Sequence, residues 1–286
     1  MDLDWNDAHT FLAVAEHRSF SAAARAMGLG QPTISRRIQE LELRLGEQLF
    51  DRGKHGAMPT RAALRLLPAA EQMARWAAEF DRAARGVENP GGGVVRMAAP
   101  PGIAVEQLAP FAARFRTSHP EIVLDILSAV EHVDLTRGAA DIAVRTQLPA
   151  EPELVALHKG SNMPGIFASE AYARTVRQPC SWHDLDWVTW SGVRRHVVPR
   201  PMLERIIPDF EPVFTSDDYL VQKAAVRAGV GAMIMGRPVL FEQTDLVEID
   251  VGVQLPAYDF YIVVAKSVQQ VPRIRLVVDE LVAMMG

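Results

Sequence analysis

The sequence predicts a multidomain α/β protein: a small helical unit with a β-hairpin wing, one long helix, and a larger α/β region. Three observations lead there. Residues 1 to 60 carry helix-period apolar patterns, with Ser, Gly and Pro where helices start and stop. Residues 61 to 88 carry an apolar stripe at alternating spacings of four and three. From Val94 onward, short apolar runs alternate with helical segments, the pattern of a parallel-rich sheet. At 286 residues and 49% hydrophobic, the chain is long enough for two or three folded units with sizeable cores.

Residues 6 to 17 (NDAHTFLAVAEH) read as the first helix, with Phe11, Leu12, Val14 and Ala15 on its apolar side. Ser21 is expected to cap a short second helix reaching Met27, and Gly28 to end it. Pro32 suits the first turn of a third helix, where its missing N–H is no loss. In that helix Ile34, Ile38, Leu41 and Leu45 fall on one face. The opposite face shows Gln31, Pro32, Thr33, Arg36 and Gln39, flanked by Ser35 and Arg37. A helix pair whose second member is apolar inward and carries hydroxyl, amide and guanidinium groups outward fits a DNA major groove. Many helical domains use the same pattern purely as packing, and pattern alone leaves both readings open. Leu49 to Thr60 reads as a two-stranded wing, with Arg52, Lys54 and His55 at its tip to lie along phosphates.

Charge sharpens the question. The formal net charge is -5, and the first sixty residues hold 7 Lys plus Arg against 8 Asp plus Glu. Contact with a polyanion must therefore come from local placement. The single cysteine, Cys180, excludes an internal disulfide, and no CxxC or Cys/His cluster exists for structural zinc, so neither metal nor cofactor is expected. The acidic start MDLDWNDAHTF is unlike a secretory signal, and no apolar stretch reaches membrane-spanning length. A soluble, cytoplasmic protein without a membrane partner is the expectation. Enzyme motifs such as GxSxG, HExxH and SxxK are missing. In "CSWHDLDW", His183, Asp184 and Asp186 read as a turn capped by Ser181 rather than as metal ligands. Asn89-Pro90 and the glycines after it form a hinge.

The stretch "SFSAAARAMGLGQPTISRRIQELELRLGEQLFDR", followed by Pro59-Thr60, resembles the winged helix-turn-helix of LysR-type transcriptional regulators. It departs at Gly30, where that family favours a capping serine, and at Met58-Pro59 in the wing. The resemblance implies a DNA-binding domain over residues 1–60. Gln31, Pro32, Thr33, Ser35 and Arg36 would enter the major groove, with Arg36 the guanine reader and Arg37 also on DNA from the flank, while Arg52, Lys54 and Thr60 hold phosphates. A linker helix over 61–89 follows. Its stripe of Leu66, Ala70, Met73, Ala77, Phe80, Ala84 and Val87 suits either a coiled-coil seam or a helix packed on its own domain. The resemblance implies the seam, hence a homodimer or homotetramer on double-stranded DNA bearing an interrupted palindrome.

Residues 90–286, through "FAARFRTSHPEIVLDI", "GAADIAVRT" and "AVRAGVGAMIM", resemble the family's effector domain, which is similar to periplasmic binding proteins. Two α/β lobes are implied, the first over about 94–161 and 267–286, the second over about 162–266. The chain would cross near Ser161 and Lys266. Ligands of such sheets collect at strand C-termini and helix N-termini. That rule nominates Pro101, Gly102, Ile103, Ser128, Arg145 and Thr146 from the first lobe, and Trp190, Ser191 and Ser216 from the second. Arg145 suits an anionic effector, or else a salt bridge with Glu151 or Glu153. The reading is a transcriptional regulator that binds DNA and responds to a small molecule. The rival is a small-molecule binding protein or enzyme with a helical N-terminal extension.

Overall fold

The computed structural model describes residues 3–53, 56–84, 92–237 and 245–285. They divide into two compact units, one from Met1–Pro90 with Asp134–Ala139, the other from Gly91–Val133 with Ala140–Gly286.

In the first unit, α1 (Trp5–His17) starts from a reciprocal cap: Asp4 accepts from the Asp7 amide at 3.0 Å and Asp7 accepts from the Asp4 amide at 3.1 Å. The second helix, α2 (Phe20–Ala26), is capped by Ser19, whose hydroxyl accepts from the Ala22 amide at 3.3 Å. Ser21, the expected cap, lies inside the helix. Two serines flank Phe20, and packing decides between them, because the Phe20 ring stands edge-on to Phe50 against the core. Gly28 adopts φ +65° just past the helix end. In α3 (Gln31–Leu45), Ile34, Ile38 and Leu41 are buried, each contributing about 1.5–3 kcal/mol through the apolar surface it removes from water.

Strands β1 (Phe50–Gly53) and β2 (Gly56–Pro59) pair antiparallel from Phe50 opposite Pro59. Gly56 has φ +92°, and a Cβ there would stand 2.3 Å from the Arg18 carbonyl oxygen, which accepts the Ala57 amide at 2.8 Å. Helix α4 (Arg61–Ala84) closes the unit by setting Ala62, Ala63 and Ala70 into the same core, with Leu66 and Leu67 against it.

The second unit begins with β3 (Gly93–Ala99). A continuous helical stretch follows: α5 (Pro101–Ile103), a π turn over Ala104–Leu108, and α6 (Ala109–Ser118). Then come β4 (Ile122–Ser128), β5 (Ile142–Arg145), β6 (Leu154–Asn162), β7 (Pro164–Ala168), α7 (Glu170–Ala173), β8 (Val188–Trp190), α8 (Arg200–Ile206) and β9 (Phe214–Ser216). The chain continues through α9 (Tyr219–Arg227), β10 (Ala232–Gly236), β11 (Val247–Glu248), β12 (Tyr258–Ala265) and α10 (Pro272–Met285).

Two sheets divide this unit into lobes. The first has order β4-β3-β5-β12-β6, with β12 antiparallel to both neighbours and the rest co-directional. The second joins β10-β7-β11, antiparallel about β7, to the parallel pair β8-β9 through a parallel bridge between Trp187 and Ala232. Among the described strands each lobe thus has one running against the others, and it is the strand by which the chain crosses into that lobe from the other. The first crossing runs through Met163, between β6 and β7. The return, expected near Lys266, instead falls between Leu255, which packs in the second lobe, and Tyr258, where β12 begins. The reason is backbone pairing: Tyr261 to Val264 register against Arg145 to Ile142 of β5, which commits the whole of "FYIVVA" to the first lobe.

Among the described residues, no helix is long and apolar enough to cross a membrane, and no group of His, Cys, Asp or Glu is arranged to hold a metal ion. In "CSWHDLDW" the Asp184 carboxylate accepts from the Ser181 amide at 2.7 Å and hydroxyl at 2.8 Å, closing a short helical turn.

Candidate nucleic-acid interface and ligand cleft

With its apolar stripe buried, α3 has a fixed outward face. Gln31, Pro32, Arg36 and Gln39 are exposed, and Thr33 and Ser35 half-buried. Arg36 is 74% exposed and meets Glu40 only at 3.7 Å. Gly30 is the N-cap and offers no side-chain acceptor; Pro32 carries no N–H, and the Thr33 and Ile34 amides donate to the Gly30 carbonyl at 3.0 and 3.2 Å, which leaves the Gln31 amide as the first-turn donor directed out of the helix start. With the positive end of the helix dipole, it forms a favourable place for a phosphate oxygen. Arg37 is half-buried and turns to the flank, where it lines a hollow with Asp4, Asn6, Asp7, Glu40, Leu43 and Arg44. Asp4, Asp7 and Glu40 share that hollow with it, whereas Arg36 lies on the exposed face.

The wing is held to α3 by Glu42, whose carboxylate accepts from the amides of Leu49 at 2.7 Å and Phe50 at 3.2 Å. Arg52 lies in β1, but its side chain and all of Lys54 fall outside the described residues. Thr60, expected on a phosphate, is otherwise engaged: its hydroxyl donates to the Gln48 carbonyl at 2.7 Å and accepts from the Ala63 amide at 3.3 Å. It caps α4 and ties the wing's return to that helix.

The stripe on α4 splits. Leu66 and Ala70, expected in a seam with a second chain, are packed into their own unit, because the first turns of α4 complete its core. Beyond them Met73 is 39% and Phe80 77% exposed, with Ala77 half-buried between. Ala84 ends the helix with its side chain outside the described residues, as is Val87.

In the second unit, most of the nominated positions lie at or beside strand ends. Ala99 at the end of β3 pairs with Ser128 at the end of β4, and Trp190 at the end of β8 pairs with Ser216 at the end of β9. Gly102 faces the Tyr219 ring, with a Cβ at 102 lying 3.6 Å from the ring carbon. Val105 and Val130 of the first lobe pack against the second lobe's cluster of Phe167, Val188, Trp190, Tyr219 and Met233. Pro101 and Gly102 are half-buried, Ile103 is buried, and Ser128 and Thr146 are exposed. Trp190 donates its indole N–H to the Val198 carbonyl at 3.0 Å, and the Ser216 hydroxyl accepts from the Asp218 amide at 3.1 Å. The Ser191 hydroxyl is buried without a partner among the described residues.

Arg145 does not present its charge to this space. Its side chain is 4% exposed, lying 3.3 Å from Glu151 Oε1 and donating to the Val133 carbonyl at 3.0 Å. Every residue of β5 is buried, so the strand end points its last side chain into protein rather than solvent. A backbone N–H and then the Arg145 guanidinium hold the Glu151 carboxyl below the ordinary range. The anionic effector therefore loses the reader expected for it.

Residues that sequence reasoning passed over lie beside the cleft. Glu106, Tyr219 and Lys223 form a buried polar cluster bridging the lobes. The one available signal was a lone acid in the apolar helical run "GIAVEQLAPF".

Comparison with known proteins agrees with this geometry. The family description "Bacterial regulatory helix-turn-helix protein, lysR family" matches residues 5–64, and "LysR substrate binding domain" matches residues 88–286. An HTH-type transcriptional regulator of Xanthomonas campestris pv. campestris (strain 8004) is 30% identical over 296 residues, spanning 99% of this chain and 86% of that protein. Among solved structures, a full-length OxyR variant from Pseudomonas aeruginosa superposes with a TM-score of 0.68 at 16% identity, covering 100% of this chain and 95% of that one. Full-length CbnR complexed with its target DNA gives 0.67 at 18% identity, covering 99% and 100%. With a helix-turn-helix whose recognition helix has an exposed outward face and a two-lobed α/β domain following it in the chain, this chain belongs to the LysR family of transcriptional regulators, binding DNA through the first unit and a small-molecule effector through the second.

Proposed function

We propose that the N-terminal half of α3 enters the major groove, with Arg36 reading guanine through O6 and N7 and with Gln31, Thr33 and Ser35 contacting neighbouring base edges or phosphates. The observation that carries this is the division of α3 into a buried Ile34, Ile38, Leu41 stripe and an exposed face bearing Arg36. Arg52 and Lys54 of the wing hold flanking phosphates. Two chains joined through Met73, Ala77 and Phe80 of α4 present two such helices to an interrupted palindrome, as a dimer or a dimer of dimers. The effector lies between the lobes against Pro101–Ile103, Ser128, Thr146, Trp190, Ser191 and Ser216. With Arg145 withdrawn, that lining is hydroxyl, aromatic and backbone, which suits a small ligand of low charge. The protein acts in the cytoplasm by binding, without turnover of its ligand.

The test is a fluorescence-anisotropy titration of labelled upstream DNA from the protein's own gene against scrambled DNA of equal length. The wild type should prefer the upstream DNA, and Arg36→Ala should reduce that preference by roughly 1–3 kcal/mol, about five- to 150-fold. An equal loss on both duplexes would make Arg36 a phosphate contact and remove it from base reading.

A further inference from the structure

The lobes of the second unit meet on an ion pair for which neither DNA binding nor the cleft lining has a use. Glu106 stands in the π turn Ala104–Leu108 of the first lobe, while Tyr219 and Lys223 lie one turn apart on α9 of the second. Lys223 Nζ is 2.8 Å from Glu106 Oε1, and the Tyr219 hydroxyl donates to the same oxygen at 3.0 Å. The Lys223 and Glu106 side chains are 8% and 9% exposed. Burial, and then the Glu106 carboxylate, push the Tyr219 phenol far above its ordinary range, so it stays a donor.

Charged groups are a poor choice for mere cohesion. Apolar residues of similar volume hold a buried interface as well or better, whereas separating one buried charge from its partner inside protein is strongly unfavourable. A contact built this way has two acceptable states: closed with the charges paired, or open with both in water. Its setting adds a moving part. A π turn carries one residue more than the α-helical repeat and concentrates at functional sites. Reabsorbing that residue would rotate the side chains about it by about 100°, the angle per residue of an α-helix, and carry Glu106 off Lys223. Gly102, one turn earlier, lies directly against the Tyr219 ring, where a Cβ would stand 3.6 Å from the ring carbon.

We propose that Glu106, Lys223 and Tyr219 form the latch of the effector domain. The ligand-free lobes are held closed by this pair, and opening releases it through the π turn. From the functional reading this takes only that the lobes can separate; neither the DNA contacts nor the effector's identity enters.

The test is hydrogen–deuterium exchange on the full-length chain without DNA or ligand, comparing wild type with E106Q, K223M, Y219F and E106L/K223L. In E106Q and K223M, peptides over Pro101–Ser118 and over Tyr219–Arg227, on opposite lobes, should exchange at least tenfold faster, with β3, β5 and the first unit unchanged. Y219F, which keeps both charges, should show a smaller rise in the same two places. E106L/K223L, closed by apolar contact with no charges to hydrate on opening, should exchange at least threefold more slowly than wild type there. A rise confined to one lobe, no rise, or a double variant exchanging as fast as wild type would overturn the latch. If the single variants fail to fold, the double variant decides alone by the same threshold. Loss of DNA binding with these exchange patterns intact would leave the latch standing and count against the functional reading only.

Discussion

Gly56 shows how one residue fixes the wing to the helices. At φ +92° an L side chain is strained, and a Cβ would sit 2.3 Å from the Arg18 carbonyl oxygen that anchors Ala57. Gly56→Ala should therefore destabilise the first unit by at least ~1 kcal/mol, read as a lower urea midpoint with an unchanged slope. Asp4 carries a pH effect of known sign. Its carboxyl is held below the ordinary value chiefly by the Asp7 backbone N–H, so its capping is present above the usual carboxylate range and fades as pH falls through the lowered value. Amide exchange at Trp5 to Asp7 should rise in that acid window before the rest of α1 responds. Gly28, Pro32 and the isoleucine stripe were legible at this scale because each rests on local geometry. The choice of Ser19 over Ser21 was not, since it turns on where the Phe20 ring packs. Nor was the fate of Arg145, which depends on the burial of its whole strand.

The element that divides most sharply is α4. Its stripe is one pattern in the sequence but meets two environments, core for Leu66 and Ala70 and solvent for Met73 and Phe80. Spacing alone cannot say where a helix leaves the surface it packs on. The two halves should respond differently to substitution. Leu66→Ala should cost ~1–3 kcal/mol of unfolding stability, somewhat less than a fully buried leucine because Leu66 is only partly enclosed. Phe80→Asp should leave the melting temperature nearly unchanged yet shift sedimentation from dimer towards monomer. A Phe80→Asp chain that sediments as wild type would remove this face from the assembly. The helix preceding α6 carries the other lesson. Its helical character was readable, but the pairing of Glu106 was not, because its partner Lys223 lies 117 residues further along the chain.

For the whole molecule, the alternation of strands and helices announced an α/β sheet and the family resemblance implied two lobes, while the order of strands within them was beyond sequence reading. "FYIVVA" would suit either lobe, and only its pairing with β5 and β6 assigns it to the first. The net charge of -5 confines any affinity for DNA to the surfaces that concentrate positive groups, so binding should be salt-sensitive and localised. The account stands on α3 occupying the major groove in two places at once. Dimethyl sulfate protection of the upstream duplex reports that directly, since it modifies guanine N7 on the major-groove edge. The account predicts protected guanines in two segments whose centres lie about one helical turn, or a whole number of turns, apart. Binding that leaves every guanine N7 reactive would contradict it.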